Sequence, residues 1–378
     1  MTADALPSRE QDLADVIADA AREGAQLAIV GGGSKRDMGA ATNAKALPMA
    51  GFAGVVDYDP AELVLTVRPG TPLAQVQALV AGEGQMLAFE PFDHGPIYGT
   101  VEGAATIGGV VAAGVAGSQR VSCGGARDHL LGFRAVSGRG ETFVAGAKVV
   151  KNVTGYDLPK LAAGSWGRLF ALTELTLKVL PRPKVVATRV VEGLGAAEAV
   201  AVMAKAMGSQ AEVAAAAHIP GERPLTAFRV QGFGPSVTAR CAMLEALLDG
   251  AVTPAEEQAN AIWTDLRALA PLGRDRPLWR VNVPPSKGRD IVAAMEPRGA
   301  DWMLDWAGGL VWLAFDGDAA LVRDAARVAG GHATLVRAGE DLRAAVPAFH
   351  PAAPGLAALE ARVRRAFDPA GVFETGRF

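Results

Sequence analysis

Leu13, Val16, Ile17 and Ala20 recur at the spacing of one helical face, and Gly24 stands where a helix ends in a left-handed residue. The apolar run Gln26–Val30 then reads as a strand that empties into Gly31-Gly32-Gly33. Leu63–Val67 predicts a second buried strand, turned by Pro69-Gly70. Thr71 is placed to cap a helix with Pro72 at its first position, and Leu73, Val76, Leu79 and Val80 give that helix its apolar face. This is an α/β beginning.

From about residue 85 to 183 the pattern shifts to short strands joined by glycine-bearing turns. Phe133–Val136, the turn Ser137-Gly138-Arg139-Gly140 and Glu141–Val144 read as a hairpin. Leu175, Leu177 and Val179 alternate with Glu174, Thr176 and Lys178, which predicts a strand with one wet face, and Pro181 and Pro183 end it. Beyond 183 the chain becomes alanine- and arginine-rich. Helices are expected around 196–217 and 237–249, and strands near 225–231, 278–283 and 310–315. The organisation read from these shifts is α+β: residues 1–183, with subdomains at about 1–84 and 85–183, then 184–345, then a C-terminal segment 346–378.

With 378 residues, half of them hydrophobic, the chain can bury a large core and fill two domains. A net charge of −3 with mixed signs offers no basic footprint for nucleic acid. Cys123 and Cys241 lie far apart and argue against a disulfide framework. The N-terminus carries Asp4 and Glu10 rather than a basic and then apolar signal pattern, and no uncharged stretch is long enough to span a bilayer. A cytoplasmic location is expected, with any membrane association peripheral and made through partners.

The candidate chemistry lies in three glycine-rich turns: Val30-Gly31-Gly32-Gly33-Ser34-Lys35, Thr106-Ile107-Gly108-Gly109 running into Val110–Gly114, and Gly164-Ser165-Trp166-Gly167 within the stretch Lys151–Pro183. A diphosphate needs several N–H groups at close range, and glycine permits both that approach and positive φ. Gly108 and Gly109, opening an Ala/Val segment, suggest unpaired amides at a helix start. Neither common nucleotide fingerprint fits: Gly33-Ser34-Lys35 displaces the Walker lysine, and counting G-x-G-x-x-G from Gly31 puts Arg36 where the third glycine should stand. Taken singly, each cluster is more often a tight turn than a phosphate cradle.

In this order the turns resemble those of the FAD-binding oxidoreductases of vanillyl-alcohol oxidase/p-cresol methylhydroxylase type, and among them the smaller FAD-binding subunit of bacterial glycolate oxidases. The resemblance covers roughly residues 10–183 and rests on GGGSK, on TIGGVVAAGVAGSQR at 106–120, on GGARDHLLG at 124–132, on KNVTGYDL and on GSWGRLFALTELTLKVLPRP. It is thinner beyond, resting on Leu278-Trp279-Arg280-Val281, Asp305-Trp306-Ala307-Gly308-Gly309 and the tail RRAFDPAGVFETGRF, where Glu374-Thr375-Gly376 replaces the usual Asn-Pro-Gly. It implies a two-subdomain FAD domain, a smaller α+β cap and a C-terminal segment that packs back on the FAD domain. FAD-binding positions carried over are Val30, Gly31, Gly32, Gly33, Ser34, Lys35, Thr106, Gly108, Gly109, Gly114, Gly117, Ser118, Gly164, Gly167 and Leu172. Lys35 and Arg120 are candidates to neutralise phosphate charge.

Attachment of FAD is expected to be noncovalent, because the first glycine turn has neither histidine nor cysteine; His94 and His129 are read as structural. The histidine-rich cap motif with which larger relatives hold a metal is missing, and His218, His332 and His350 are scattered, so no metal is expected. For a substrate carboxylate Arg280 is the first candidate, with Arg229 behind it. Three functions stand open: the FAD-binding subunit of a glycolate oxidase complex, working with a larger flavin subunit and an iron–sulfur subunit; a self-sufficient flavin dehydrogenase for a 2-hydroxy acid or alcohol; and a non-catalytic assembly subunit with a degenerate FAD fold.

Overall fold

The computed structural model describes residues 7–147 and 155–378, so Lys151–Thr154 of the KNVTGYDL motif lie outside the described residues. Helix α1 (Glu10–Glu23) ends on Gly24 at φ 68 and buries Leu13, Ala14, Ile17 and Ala20, as its apolar spacing requires. Strand β1 (Leu27–Val30) pairs in parallel with β2 (Lys45–Pro48). After β3 (Val55–Asp59) and β4 (Val64–Val67) comes helix α2 (Leu73–Gly82). Thr71 does not cap α2: Pro72 holds the cap position, and the Thr71 hydroxyl donates to the Arg68 carbonyl at 2.7 Å and accepts from the Gly54 amide at 2.9 Å. The threonine fastens the preceding turn instead.

Strand β5 (Gln85–Met86) and helix α3 (Ile107–Ala113) lead to the hairpin of β6 (Leu130–Ser137) and β7 (Thr142–Gly146). Strand β8 (Phe170–Lys178) continues into β9 (Leu180–Pro181), which pairs with β5. The order β3-β4-β8-β6-β7 makes one antiparallel sheet with β8 at its centre. The expected wet face of β8 holds only in part: Glu174 and Lys178 are half-buried, but the residue between them is not wet. Thr176 is buried and bonds Thr66 across the strand pair at 3.2 Å, while Ala171 on the same strand packs in the cluster of α1. A central strand covered over part of its second face keeps water only at the positions left uncovered.

The second sheet comprises β10 (Val185–Glu192), β11 (Ala215–Ile219), β12 (Leu225–Gly232), β13 (Leu278–Asn282), β14 (Asp301–Asp305), β15 (Leu310–Ala314) and β16 (His332–Arg337), in the order β10-β12-β11-β14-β15-β13-β16. Helices Ala196–Met207, Gly234–Leu247, Gly288–Met295 and Ala319–Val328 bury one face of it. Ile262, Trp263 and Leu266 of helix Glu256–Ala268 pack with Met303, Trp312 and Ile97 on the other. The helix expected over 196–217 stops at Met207. Ala215, Ala216 and Ala217 form β11, fully buried between β12 and β14, so tertiary pairing overrides alanine's helix propensity there.

The C-terminal residues return to the first 180. Phe367, ending helix Pro354–Phe367, stands against Phe143 and Phe170 with centroids at 5.8 and 5.2 Å. The buried Asp368 carboxylate accepts from the amides of Val372 and Phe373 at 2.9 and 2.7 Å, and the Leu27 amide donates to the Val372 carbonyl at 2.7 Å.

Candidate functional site

The end of β1, the start of α3 and the loop before β8 enclose a cleft of about 130 Å³. Val30, Gly31, Gly32, Gly33, Ser34, Lys35, Thr106, Gly108, Gly109, Gly167 and Leu172 all line it, as do Ile29, Met49, Trp166, Arg377 and Phe378, which the sequence reading did not assign. Much of the glycine requirement here is mutual packing. A Cβ on Gly32 would stand 1.4 Å from the Ala104 carbonyl oxygen, one on Gly31 2.4 Å from Thr106 Oγ1, and one on Gly108 2.4 Å from Pro69 Cβ. The two turns touch because neither has side chains between them.

Their amides differ. Gly108 N–H donates to the Pro69 carbonyl at 2.8 Å, and Gly109 N–H to its own cap Thr106 at 3.3 Å. The expectation of free amides at the start of α3 is thereby corrected: the neighbouring turn and the cap already take them. Among the described residues the N–H groups of Gly32, Gly33, Ser34 and Lys35 meet no protein acceptor, and Gly33 takes φ +74. Beside them, again among the described residues, Lys35 has no carboxylate in contact, only the Ser34 hydroxyl at 3.3 Å from Nζ. Burial lowers its pKa to about 8, against a weaker opposing pull from Asp93. Free amides beside a cation are the arrangement that suits an anion.

Four other carried-over positions do not line this cleft. Gly114 faces the adjoining chamber described below and packs against Gly164, whose Cα would lie 3.5 Å from a Cβ on Gly114. Gly117 lies under Glu90, and Ser118 donates its hydroxyl to Asp305 at 2.8 Å, so both serve the contact with the second sheet. Arg120 stacks on Trp306 with 4.3 Å from Cζ to the ring centroid, away from the cleft. Trp166, in the left-handed region at φ 56 between two positive-φ glycines, donates its amide to the Ala112 carbonyl at 2.9 Å. Its ring thereby forms part of the wall between cleft and chamber.

That chamber, about 70 Å³, shares Ala113 and Trp166 with the cleft and is lined by Arg280, His94, Tyr98, Trp312 and Thr334 among others. Arg280 lies on β13 opposite Trp312 and Thr334, with its guanidinium 5.0 Å from the Trp306 centroid. Burial, and then the charge of Arg120, lower its pKa to about 10. The second candidate, Arg229, is committed elsewhere, bonded to the Glu90 carboxylate and stacked on Trp263 at 4.1 Å. His94, read as structural, has its Nδ1 buried without a partner, and so does the Tyr98 hydroxyl. Nothing in the pattern around Tyr98 signalled this, since its neighbours across the chamber come from β13 and β16. His129 does have a packing role, with Nε2 2.9 Å from the Cys123 carbonyl oxygen.

A glycine-turn cleft walled by the end of β1, the start of α3, the loop before β8 and the C-terminal Arg377 and Phe378, beside an antiparallel sheet that is joined to a second α+β layer, is the arrangement of a FAD-binding oxidoreductase of the p-cresol methylhydroxylase type. Residues 2–146 match the FAD binding domain family, and the structure superposes on p-cresol methylhydroxylase with substrate bound at a TM-score of 0.73 and 13% identity, covering 98% of this chain and 87% of that one. Over 97% of its length the chain is 34% identical to glycolate oxidase subunit GlcE of Escherichia coli strain K12, covering 96% of that protein, and it belongs to this GlcE family. Glycolate oxidase subunit GlcD of Bacillus subtilis strain 168 is 31% identical over 130 residues, 34% of this chain and 26% of that protein. FAD is the cofactor of the family. Among the described residues no helix is long and apolar enough to cross a membrane.

Proposed function

We propose that this chain is the small FAD-carrying subunit of a glycolate oxidase complex, supporting oxidation of glycolate to glyoxylate alongside a larger flavin subunit and an iron–sulfur subunit that receives the electrons. The observation that carries the cofactor seat is the turn Gly32–Lys35, where amides and a half-buried ammonium group, unengaged by acceptors or carboxylates among the described residues, face one cleft. Diphosphate binding is assigned to these groups, and Ile29, Met49 and Leu172 supply apolar wall. Thr106, Gly108 and Gly109 shape the opposite side by close approach. Bound FAD supplies a two-electron acceptor for the hydride leaving the carbon that bears the hydroxyl. Attachment is noncovalent in this reading, which agrees with a lining that contains neither histidine nor cysteine. Residues 1–183 and the returning segment 346–378 serve as the FAD domain and 184–345 as its cap. Any membrane contact is made through partners.

A second reading, a chain that oxidises a hydroxy acid by itself, is favoured by Arg280 facing a chamber beside the cleft without an ion-pair partner among the described residues. Purified full-length chain, reconstituted with FAD and titrated anaerobically with glycolate, separates the two. The complex reading expects a flavin spectrum that glycolate leaves oxidised until the partner subunits are added. Bleaching by glycolate alone supports self-sufficiency, and a folded chain that stays colourless with excess FAD overturns both.

A further inference from the structure

Phe367, Val363, Leu359 and Leu356 follow one another at helical spacing along one face of helix Pro354–Phe367. That face is used at one end only. Phe367 and Val363 pack against the cluster of Phe133 and Phe170, whereas Leu359 and Leu356 are 53% and 52% exposed. From Phe367 to Leu356 the stripe runs about 16 Å along the axis, past the surface on which it docks. Pro351–Leu359 are nine consecutive residues without charge, all exposed except Ala352, and no residue of the helix is buried. A helix of this length is marginal in water unless a face of it is packed. Its rim is cationic: Arg362 and Arg365 are exposed, and with Arg364 and the neighbouring Arg168 they form no ion pair among the described residues. Arg364 Nε is buried without a partner, and the Arg168 pKa is lowered by burial and then by the charge of Arg364, against weaker pulls from Glu360 and Glu374.

We infer that this helix is the docking surface for the electron-accepting subunit of the complex, which covers Leu356 and Leu359 with an apolar patch ringed by carboxylates. Leu356, Leu359 and Val363 have the spacing of anchors that a helix lays into a groove. Charge argues against a second copy of the chain. Three arginines against one glutamate leave the helix cationic, so two copies laid together repel, while a carboxylate-rimmed partner supplies the missing counter-charges. Side-chain size argues against a lipid surface. A helix lying in a membrane interface presents Trp, Phe or Leu along its apolar side, whereas the exposed apolar positions here, besides the two leucines, are Pro, Gly and Ala. Small residues let another protein element approach closely. Position selects the electron acceptor among partners. Arg364, near the anchored end, lies beside Arg168, whose guanidinium stands 5.8 Å from the Phe349 centroid, and Phe349 meets Phe378, a wall of the cleft, at 4.9 Å. A subunit seated on this helix is thereby next to the cofactor seat, and the inference rests on the complex reading above for the identity of that subunit.

Titrating the full FAD-loaded chain with the separately expressed iron–sulfur subunit, with affinity read by light scattering and amide hydrogen exchange followed over residues 354–362, tests this. Exchange in that stretch is expected to slow on binding. Leu356→Ser with Leu359→Ser should weaken binding at least about tenfold. Arg362→Glu with Arg365→Glu should weaken it about tenfold at low salt and flatten its salt dependence. Val328→Ser, at an apolar position 79% exposed on another helix, should leave affinity unchanged. Circular dichroism and FAD content identify variants that still fold. Wild-type affinity in the folded leucine variant, equal loss in Val328→Ser, or slowed exchange produced by the chain alone at high concentration or by phosphatidylglycerol vesicles but not by the subunit overturns the proposal. Binding that leaves 354–362 unprotected defeats this inference alone; a FAD-loaded chain that does not join the subunit at all defeats the complex reading together with it.

Discussion

At Lys35 the energetic question is what a half-buried ammonium gains from staying charged. With its pKa lowered to about 8 by burial, the free protein begins to lose this charge just above neutral pH. A diphosphate favours the protonated form, so binding above that point takes up a proton. FAD affinity is therefore expected to be level below pH 8 and to fall by up to about tenfold per pH unit above it, until the bound-state pKa is reached. Lys35→Gln should bind FAD more weakly at neutral pH and lose the fall. Fluorescence titration of FAD on either side of pH 8 checks both, and an equally sloped profile in the variant would place the titrating group elsewhere. Histidine and lysine titrations are legible this way only once the fold shows what surrounds them.

Among elements, the junction of the β1 and α3 turns is the tightest constraint on the cleft. Alanine at Gly32 must displace the Ala104 backbone, with its Cβ 1.4 Å from the carbonyl oxygen, whereas a Cβ on Gly82, at the end of α2, meets nothing within 4 Å. Gly32→Ala is expected to cost about 3 kcal/mol and most of the FAD content; Gly82→Ala should stabilise by up to about 1 kcal/mol and leave FAD untouched. Thermal melts with cofactor quantification decide it, and a Gly32→Ala protein with wild-type melting and colour would remove the packing argument. The same elements show what the sequence disclosed. Helix α1, strand β1 and the β6–β7 hairpin were legible because their signals are local: a helical stripe ended by Gly24, an apolar run, a glycine turn. Strand β11 was hidden because Ala215–Ala217 carry no periodicity and become a strand only by pairing with β12 and β14. The glycine turns were visible as turns, yet which amides stay free depended on Pro69 and Thr106 arriving from elsewhere. Arg280 was singled out from its strand, but the chamber it shares with His94 and Tyr98 exists only through long-range contacts.

Across the whole molecule, the loop 117–122 fastens the cleft-bearing part to the second sheet. Trp306 Nε1 donates to the Gly117 carbonyl at 3.0 Å, Gln231 to Gln119 at 2.9 Å and Ser122 to the Ala214 carbonyl at 2.7 Å, with Ser118 on Asp305 between them. Asp305 is the titratable member. Burial raises its pKa from 3.8 to about 6; the Trp306 amide and Ser118 hydroxyl favour the charged form, the Glu90 charge opposes it and Arg229 favours it. A raised carboxyl pKa means the folded state holds the proton more tightly than the unfolded chain. The stability from this group is thus full below pH 3.8 and is lost as pH rises through about 6. Asparagine keeps the shape and cannot ionise. The melting temperature of Asp305→Asn relative to wild type should therefore climb between those two pH values and level off above, the total change corresponding to at most about 3 kcal/mol. A difference that stays flat across that range would show that Asp305 ionises in the folded protein as freely as in the unfolded one, and the loop would then be a pH-independent fastening held by Trp306, Gln231 and Ser122 alone.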